Sequence, residues 1–213
     1  VFVVQPSLSP GITMLPEIYL ASQSPRRQQL LTQIGVSFEL LLPQDALAAE
    51  NLETVLPGEK PLSYVKRVTL LKLKAANSQL QERRLKPRPV LCADTTVALN
   101  GLIFGKPVDD EDACRMLAIL SGQTHQVLTA VAVSSGQKMM SKVQKSTVTF
   151  ATLSAKDIES YVRSAEPMGK AGAYAIQGLA ACFIKKIAGS HSGIMGLPVY
   201  ETRQLLLQIA KDA

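Results

Sequence analysis

The run Val90–Leu99 is apolar except at its centre, where Asp94-Thr95-Thr96 interrupts it, and it stops at Asn100-Gly101. Apolar and β-branched residues at this density, closed by a two-residue Asn-Gly turn, predict a strand that returns as a hairpin through Leu102-Ile103-Phe104. An aspartate inside such a strand is costly to bury unless it is paired or holds a metal. Asp94 is therefore a general base, a metal ligand or both, or else a strand-end carboxylate turned to solvent. Its apolar flanks favour the functional reading.

Around this strand the signals alternate. Ile18-Tyr19-Leu20-Ala21 reads as a strand running into a helix capped by Ser24, with Pro25 at its first position and Gly35 at its end. Residues 38–42 read as a second strand, and residues 43–61 as an acidic loop. A helix is predicted over residues 63–76, with Val65, Val68, Leu71 and Ala75 on its inner face. The charged stretch 81–88 is a connection. A helix over residues 109–120, strands over 127–133 and 142–150, a helix from Ser154, a strand over 182–187 and a final helix from Pro198 complete the pattern. Strands alternating with helices, with hairpins among them, predict an α/β fold with a mixed sheet.

With 213 residues, 46% of them hydrophobic, the chain can bury a large core as one domain or two small lobes. No run reaches the ~18–20 apolar residues that span a bilayer. Cys92, Cys114 and Cys182 are scattered, which fits a reducing cytoplasm, and Cys92 and Cys182 lie in apolar runs that read as buried. Residues 1–13 lack the pattern of a signal peptide and read as an extension ahead of a 14–213 domain. The net charge of +6 suits a pocket for polyanions or a nucleic-acid surface. Trp is absent and aromatics total 5%, which disfavours stacking of successive bases.

Three further segments could meet phosphate. Ser22-Gln23-Ser24-Pro25-Arg26-Arg27 sets two hydroxyls and two guanidinium groups at a helix N-terminus, where free N–H groups attract anions, although capping alone accounts for Ser24-Pro25. Gly105-Lys106-Pro107 follows the hairpin, which could return Lys106 toward Asp94. The glycine-rich stretch 169–178 carries Lys170, and Gln177 with its paired donor and acceptor; a flexible turn is the plainer reading. It is not a P-loop. His125 and His191 are too far apart to suggest a zinc cluster, and no G-x-S-x-G elbow occurs.

Taken in order, these stretches resemble the Maf family of nucleotide pyrophosphatases. The match runs over about residues 17–207: Leu20-Ala21-Ser22-Gln23-Ser24-Pro25-Arg26-Arg27, then Gly58-Glu59-Lys60-Pro61 with Tyr64-Val65-Lys66-Arg67, then Ala93-Asp94-Thr95-Thr96-Val97. Gly105-Lys106-Pro107, Lys170-Ala171-Gly172-Ala173-Tyr174, Ile176-Gln177-Gly178 and Gly196-Leu197-Pro198 continue it.

The resemblance implies two lobes around a cleft, a homodimer, and a divalent metal cation, Mg²⁺ or Mn²⁺. It implies water attack on the α-phosphorus of a nucleoside triphosphate, with Asp94 as proton acceptor and metal ligand. Arg27, Thr95 and Gln177 are implied in substrate selection, and Ser24, Arg26, Lys72 and Lys106 in phosphate contact or in lining the cleft. The Ile-Gln-Gly form resembles the subgroup acting on dTTP and UTP; the alternative is the subgroup linked to 7-methyl-GTP. An acidic pair after the second strand is common in the family. Here Asp45 is followed by Ala46, and Glu50 or Glu53 is the candidate substitute. From a different class, a regulatory or nucleic-acid-binding module tied to septum formation would use the basic balance, but the few aromatics and the lack of a basic helix argue against it.

Overall fold

The computed structural model describes residues 15–211, so the extension read over residues 1–13 lies outside the described residues. In chain order the elements are β1 (Ile18–Leu20), α1 (Pro25–Gln33), β2 (Phe38–Leu40), α2 (Ala46–Asn51) and α3 (Pro61–Glu82). Then come β3 (Val90–Leu99), β4 (Leu102–Phe104), α4 (Asp110–Leu120), β5 (Thr124–Ser135) and β6 (Lys138–Phe150). The chain closes with α5 (Ala155–Val162), β7 (Ile184–Ala188), α6 (His191–Met195) and α7 (Val199–Lys211), and two 3-10 turns, Ala171–Ala173 and Leu179–Phe183, lie between α5 and β7.

The strands form one seven-stranded mixed sheet, ordered β2-β1-β3-β5-β6-β7, with β4 paired to β3. β2, β1 and β3 run parallel, and β3, β5, β6 and β7 are successively antiparallel. Strand β3 is the axis of the molecule. On one side it pairs continuously with β5, from Val90↔Ser134 to Ala98↔Gln126. On the other it pairs with β1 at Val90 and Leu91, and with β4 from Val97 onward. Residues 92–96 therefore have a strand on one side and, among the described residues, none on the other. The break falls at Asp94.

Side chains alternate across a strand. Cys92 of β3 packs with Leu73 and Ala76 of α3, whereas Leu91 and Ala93 pack with Leu30 and Leu31 of α1 and Leu205 and Leu206 of α7. One face thus belongs to α3. The other is covered by α1, α6 and α7, and at its far end by α4, α5 and the 171–173 turn, through Val97, Leu117, Ile158 and Ala173.

Some sequence expectations shift. The segment read as loop contains α2, whose N-cap Asp45 accepts the amide of Ala48 at 2.9 Å. Helix α3 begins earlier, at Pro61, and reaches Glu82, into the stretch read as a charged connection. Its buried stripe is Tyr64, Val65, Val68, Thr69, Leu73 and Ala76, while Ala75 is exposed. The stripe is rotated from the one expected. The run 182–187 starts as a 3-10 turn, and Cys182 is exposed rather than buried; Cys92 is buried, and burial pushes its thiol up to about 12.

The 171–173 turn leaves no room for a side chain at Gly172. Its φ is +70°, and a methyl group there would lie 2.8 Å from Val97 Cγ2. Gly172→Ala should destabilise the protein by about 2 kcal/mol, seen as a lower urea midpoint at unchanged slope.

Candidate active site

Asp94 is mid-strand and buried, at 7% exposure, so the solvent-facing alternative fails. Its Oδ1 accepts from Lys72 Nζ at 2.6 Å. The same ammonium donates to Glu53 Oε1 at 2.7 Å, and Lys106 Nζ reaches Glu53 Oε2 at 3.0 Å. Two carboxylates and two ammonium groups thus alternate from β3 across α3 to the loop after β4. Burial is the largest single influence on Lys72 and works against its charge, yet Asp94 and Glu53 outweigh it and raise its pKa above the usual lysine value. Burial likewise opposes the charge on Glu53, and Lys72 and Lys106 outweigh it, so that carboxyl is held below its ordinary range.

Glu53 is one of the two candidates offered by the sequence, and it is the one that joins this cluster. It sits one residue past α2 and its cap, and Tyr64 Oη donates to its carbonyl at 2.9 Å. Arg67 of α3 grips the following turn, with Nε to Glu59 Oε1 and Nη2 to Glu59 Oε2, both 2.7 Å, and a further bond to Thr54 O. The Glu59 and Tyr64-Arg67 matches are therefore a clasp that lays the Glu53 turn on α3. Asp45 takes no part in this cluster; it is exposed and caps α2.

On the other face of β3 the arginines are equally constrained. Arg26 Nε donates to Met195 O at 3.3 Å, and Arg27 Nε to Gly196 O at 2.8 Å, at the C-terminal end of α6 where carbonyls lack helical partners. Arg27 Nη1 also donates to Ser22 Oγ at 3.0 Å. Burial lowers the pKa of Arg27, while Asp94 and Glu53 act the other way, so its charge is felt at both carboxylates. Burial also lowers the pKa of Arg26. Ser24 stands at the N-cap of α1, but its side chain makes no capping bond. Capping therefore does not account for it, and its hydroxyl stands at the N-terminus of α1.

Thr95 points away from Asp94, toward α6. Its Oγ1 is 2.9 Å from Thr129 Oγ1, and Thr129 in turn donates to Gly193 O at 2.7 Å. A methyl group on Gly196 would lie 3.6 Å from Thr95 Oγ1 and 3.7 Å from Arg27 Nε, which brings Thr95 and Arg27 to one spot. Lys170 approaches the same region: burial lowers its pKa first, and repulsion from Arg26 second. Gln177 is exposed on the segment that follows, and no hydrogen bond joins its amide to Arg27 or Thr95 among the described residues. Shallow surface depressions lie against the outer side of α3 and beside α1, away from Asp94.

Of the residues singled out in sequence, Asp94, Lys72 and Lys106 meet on the α3 face, and Arg26, Arg27 and Thr95 on the α6 face. Lys72 and Lys106 bond the two carboxylates directly and Arg27 acts on both through its charge, while Arg26 and Lys170 lie near each other on the α6 side. The gap in β3 pairing lies between the two groups. Preset positive charge of this kind stabilises charge developing on a phosphoryl group, and a buried carboxylate beside it can accept a proton.

The sequence model of the Maf family, described as Maf-like protein, matches residues 17–209. A dTTP/UTP pyrophosphatase of Albidiferax ferrireducens is 59% identical over 189 residues, covering 89% of this chain and 94% of that protein. A dTTP/UTP pyrophosphatase of Burkholderia pseudomallei (strain K96243) is 54% identical over 193 residues, covering 90% of this chain and 92% of that protein. A nucleoside-triphosphatase / dITP/XTP pyrophosphatase structure from Mycobacterium abscessus matches 64% of this chain and 75% of its own, at 14% identity and a TM-score of 0.41, a likeness too partial to bear on the chemistry.

Proposed function

This chain belongs to the Maf family, and on that premise we propose that it hydrolyses dTTP and UTP to the nucleoside monophosphate and pyrophosphate. The observation that carries the proposal is the Asp94–Lys72–Glu53–Lys106 cluster at the gap in β3, within reach of the field of Arg27. The triphosphate lies along that gap, in the cleft expected between two lobes, with the base toward Thr95, Arg27 and Gln177. The Lys72 bond occupies Oδ1 of Asp94, and Oδ2 takes the proton of the attacking water. Lys106, Arg26 and the Ser24 hydroxyl, with the free amides of α1, hold the phosphates and meet the growing charge without reorganising.

A divalent metal suits this donor set. Asp94 and Glu53 offer hard oxygens on a common ammonium, and Mg²⁺ or Mn²⁺ usually takes one or two protein carboxylates together with substrate phosphates. No group of three or more His, Cys, Asp or Glu side chains that could hold an ion occurs among the described residues, so substrate would complete the shell. Bound there, the ion would neutralise the departing pyrophosphate. Glu53→Gln should raise the Mg²⁺ concentration giving half-maximal rate by roughly tenfold or more, measured by metal titration at saturating dTTP. An unchanged titration would remove Glu53 from the metal shell.

The direct test incubates pure protein with a panel of nucleoside triphosphates, 7-methyl-GTP included, in Mg²⁺ or Mn²⁺. dTTP and UTP should be cleaved with release of pyrophosphate. Orthophosphate release would contradict the cleavage position, and a profile confined to purines or to 7-methyl-GTP would contradict the subgroup. No helix among the described residues is long and apolar enough to cross a membrane. Cytoplasmic location and a homodimer belong to the same proposal, and sedimentation of the pure protein tests the dimer.

A further inference from the structure

The geometry points to Thr129 as a positioning residue that fixes the Thr95 hydroxyl as a hydrogen-bond acceptor toward the nucleotide, where it selects the imide N3–H of uracil or thymine. The inference rests on the site reading above and deepens it.

A threonine hydroxyl has one hydrogen to give and two lone pairs to receive with. Thr129 is fully buried, and its Oγ1 lies 2.7 Å from the carbonyl oxygen of Gly193, which can only accept. Its single hydrogen is therefore committed to that carbonyl. The 2.9 Å contact with Thr95 Oγ1 then has one remaining direction: Thr95 donates and Thr129 accepts. Thr95 has no hydrogen left for a ligand, so it presents lone pairs.

Thr95 is half-buried and Thr129 lies beyond it from solvent, so the relay runs from the site inward to α6. Register supports the same picture: Thr95 and Thr129 are direct cross-strand partners on β3 and β5. Beside the Thr95 lone pairs stands the Arg27 guanidinium. Its Nε and Nη1 are engaged by Gly196 O and Ser22 Oγ, and neither bond uses Nη2. A methyl group on Gly196 would be 3.6 Å from Thr95 Oγ1 and 3.9 Å from Arg27 Nη2, so an acceptor and a donor lie close together.

The Watson–Crick edge of uracil or thymine reads carbonyl, N3–H, carbonyl. An acceptor with an adjacent donor complements an N3–H and a neighbouring carbonyl. Cytosine presents a bare N3 in place of the N3–H, so lone pair would face lone pair. A site built to meet a donor rejects the analogue that lacks it, because the buried acceptor is left unpaired.

The test compares kcat/KM for UTP and CTP in the wild type and in Thr129→Val, Thr129→Ser and Thr95→Val. Valine keeps the shape of Thr129 and removes its hydroxyl; Gly193 O keeps its bond from Gly196 N at 3.0 Å. Thr129→Val should lower the UTP:CTP ratio about tenfold, through KM for UTP with kcat held, and Thr129→Ser should restore it. An unchanged ratio in Thr129→Val overturns the proposal, as does failure of serine to restore it, since that marks a steric effect. Thr95→Val separates the two levels: if it lowers the ratio while Thr129→Val does not, the relay is wrong and the site reading stands. If neither variant moves the ratio, Thr95 is no selector and the site reading fails as well. Wild-type protein with N3-methyl-UTP gives an answer independent of folding: it should be rejected as CTP is, and efficient cleavage would overturn the imide assignment.

Discussion

Asp94→Asn should lower kcat for dTTP by about a thousandfold, with KM changed by no more than about threefold. The amide has nearly the same shape, and its oxygen can still accept from Lys72, which also keeps its 2.7 Å bond to Glu53. The fold should survive, because no buried charge is stranded. The capacity to take a proton is lost, and with it the anionic oxygen offered to the metal, so the comparison is made at saturating Mg²⁺. Steady-state kinetics with circular dichroism and a thermal melt on the same sample decide the matter. A variant retaining a tenth of the wild-type kcat would show that water is activated without Asp94.

Acid should weaken the protein between pH ~6.5 and ~4, and His125 is one reason. Its Nε2 meets Tyr174 Oη at 2.8 Å, Phe150 and Tyr174 pack edge-on around the ring, and Nδ1 is buried with no partner. Burial depresses its pKa to about 4 from 6.5. Above pH ~6.5 the ring is neutral in both folded and unfolded chains, and the full stability is present. Between pH ~6.5 and ~4 the unfolded chain takes up a proton that the folded chain refuses, so stability falls as pH falls. The total loss is about 3 kcal/mol, since each tenfold difference in proton affinity between the two states is worth ~1.4 kcal/mol. Urea unfolding at several pH values from 7.5 to 4.5 measures it, and His125→Leu should flatten that slope. An equal slope in the variant would assign the loss to other groups. Glu53, with its lowered pKa, adds its own loss only below its ordinary value of 4.5. Because Tyr174 leads directly to Gln177, loosening this core also frees the segment proposed to read the base.

Much of the fold was legible because it is written in local chemistry. Asn100-Gly101 forced the β3–β4 hairpin, and an aspartate among apolar neighbours marked the place in β3 that needs a charged partner. Lys72 was less plain in Leu71-Lys72-Leu73-Lys74, where either lysine could face inward. Setting the stripe on Leu71 and Ala75 turned the helix wrongly. The true stripe, Val65, Val68, Thr69, Leu73 and Ala76, contains Lys72 at the position where an apolar residue is expected. Lys72 is named through the family resemblance alone, and a charge seated on a buried face is the signal that marks it from the residues themselves. Glu53 carried no such signal, because it lies in a turn without periodicity and owes its place to the Arg67–Glu59 fork and to Tyr64. The commitment of the Thr129 hydrogen likewise depends on α6, which is distant in sequence and too short to leave a helical pattern.

Asp94 and Thr95 are consecutive, yet they serve opposite faces of one strand. Deleting or inserting a single residue just ahead of them would exchange their orientations, sending the carboxylate toward α6 and the hydroxyl toward Lys72. The uninterrupted ladder from Val90↔Ser134 to Ala98↔Gln126 guards against that exchange. This stretch of chain can therefore tolerate altered side chains far more readily than altered length, and any divergence in base preference must proceed there by replacement alone.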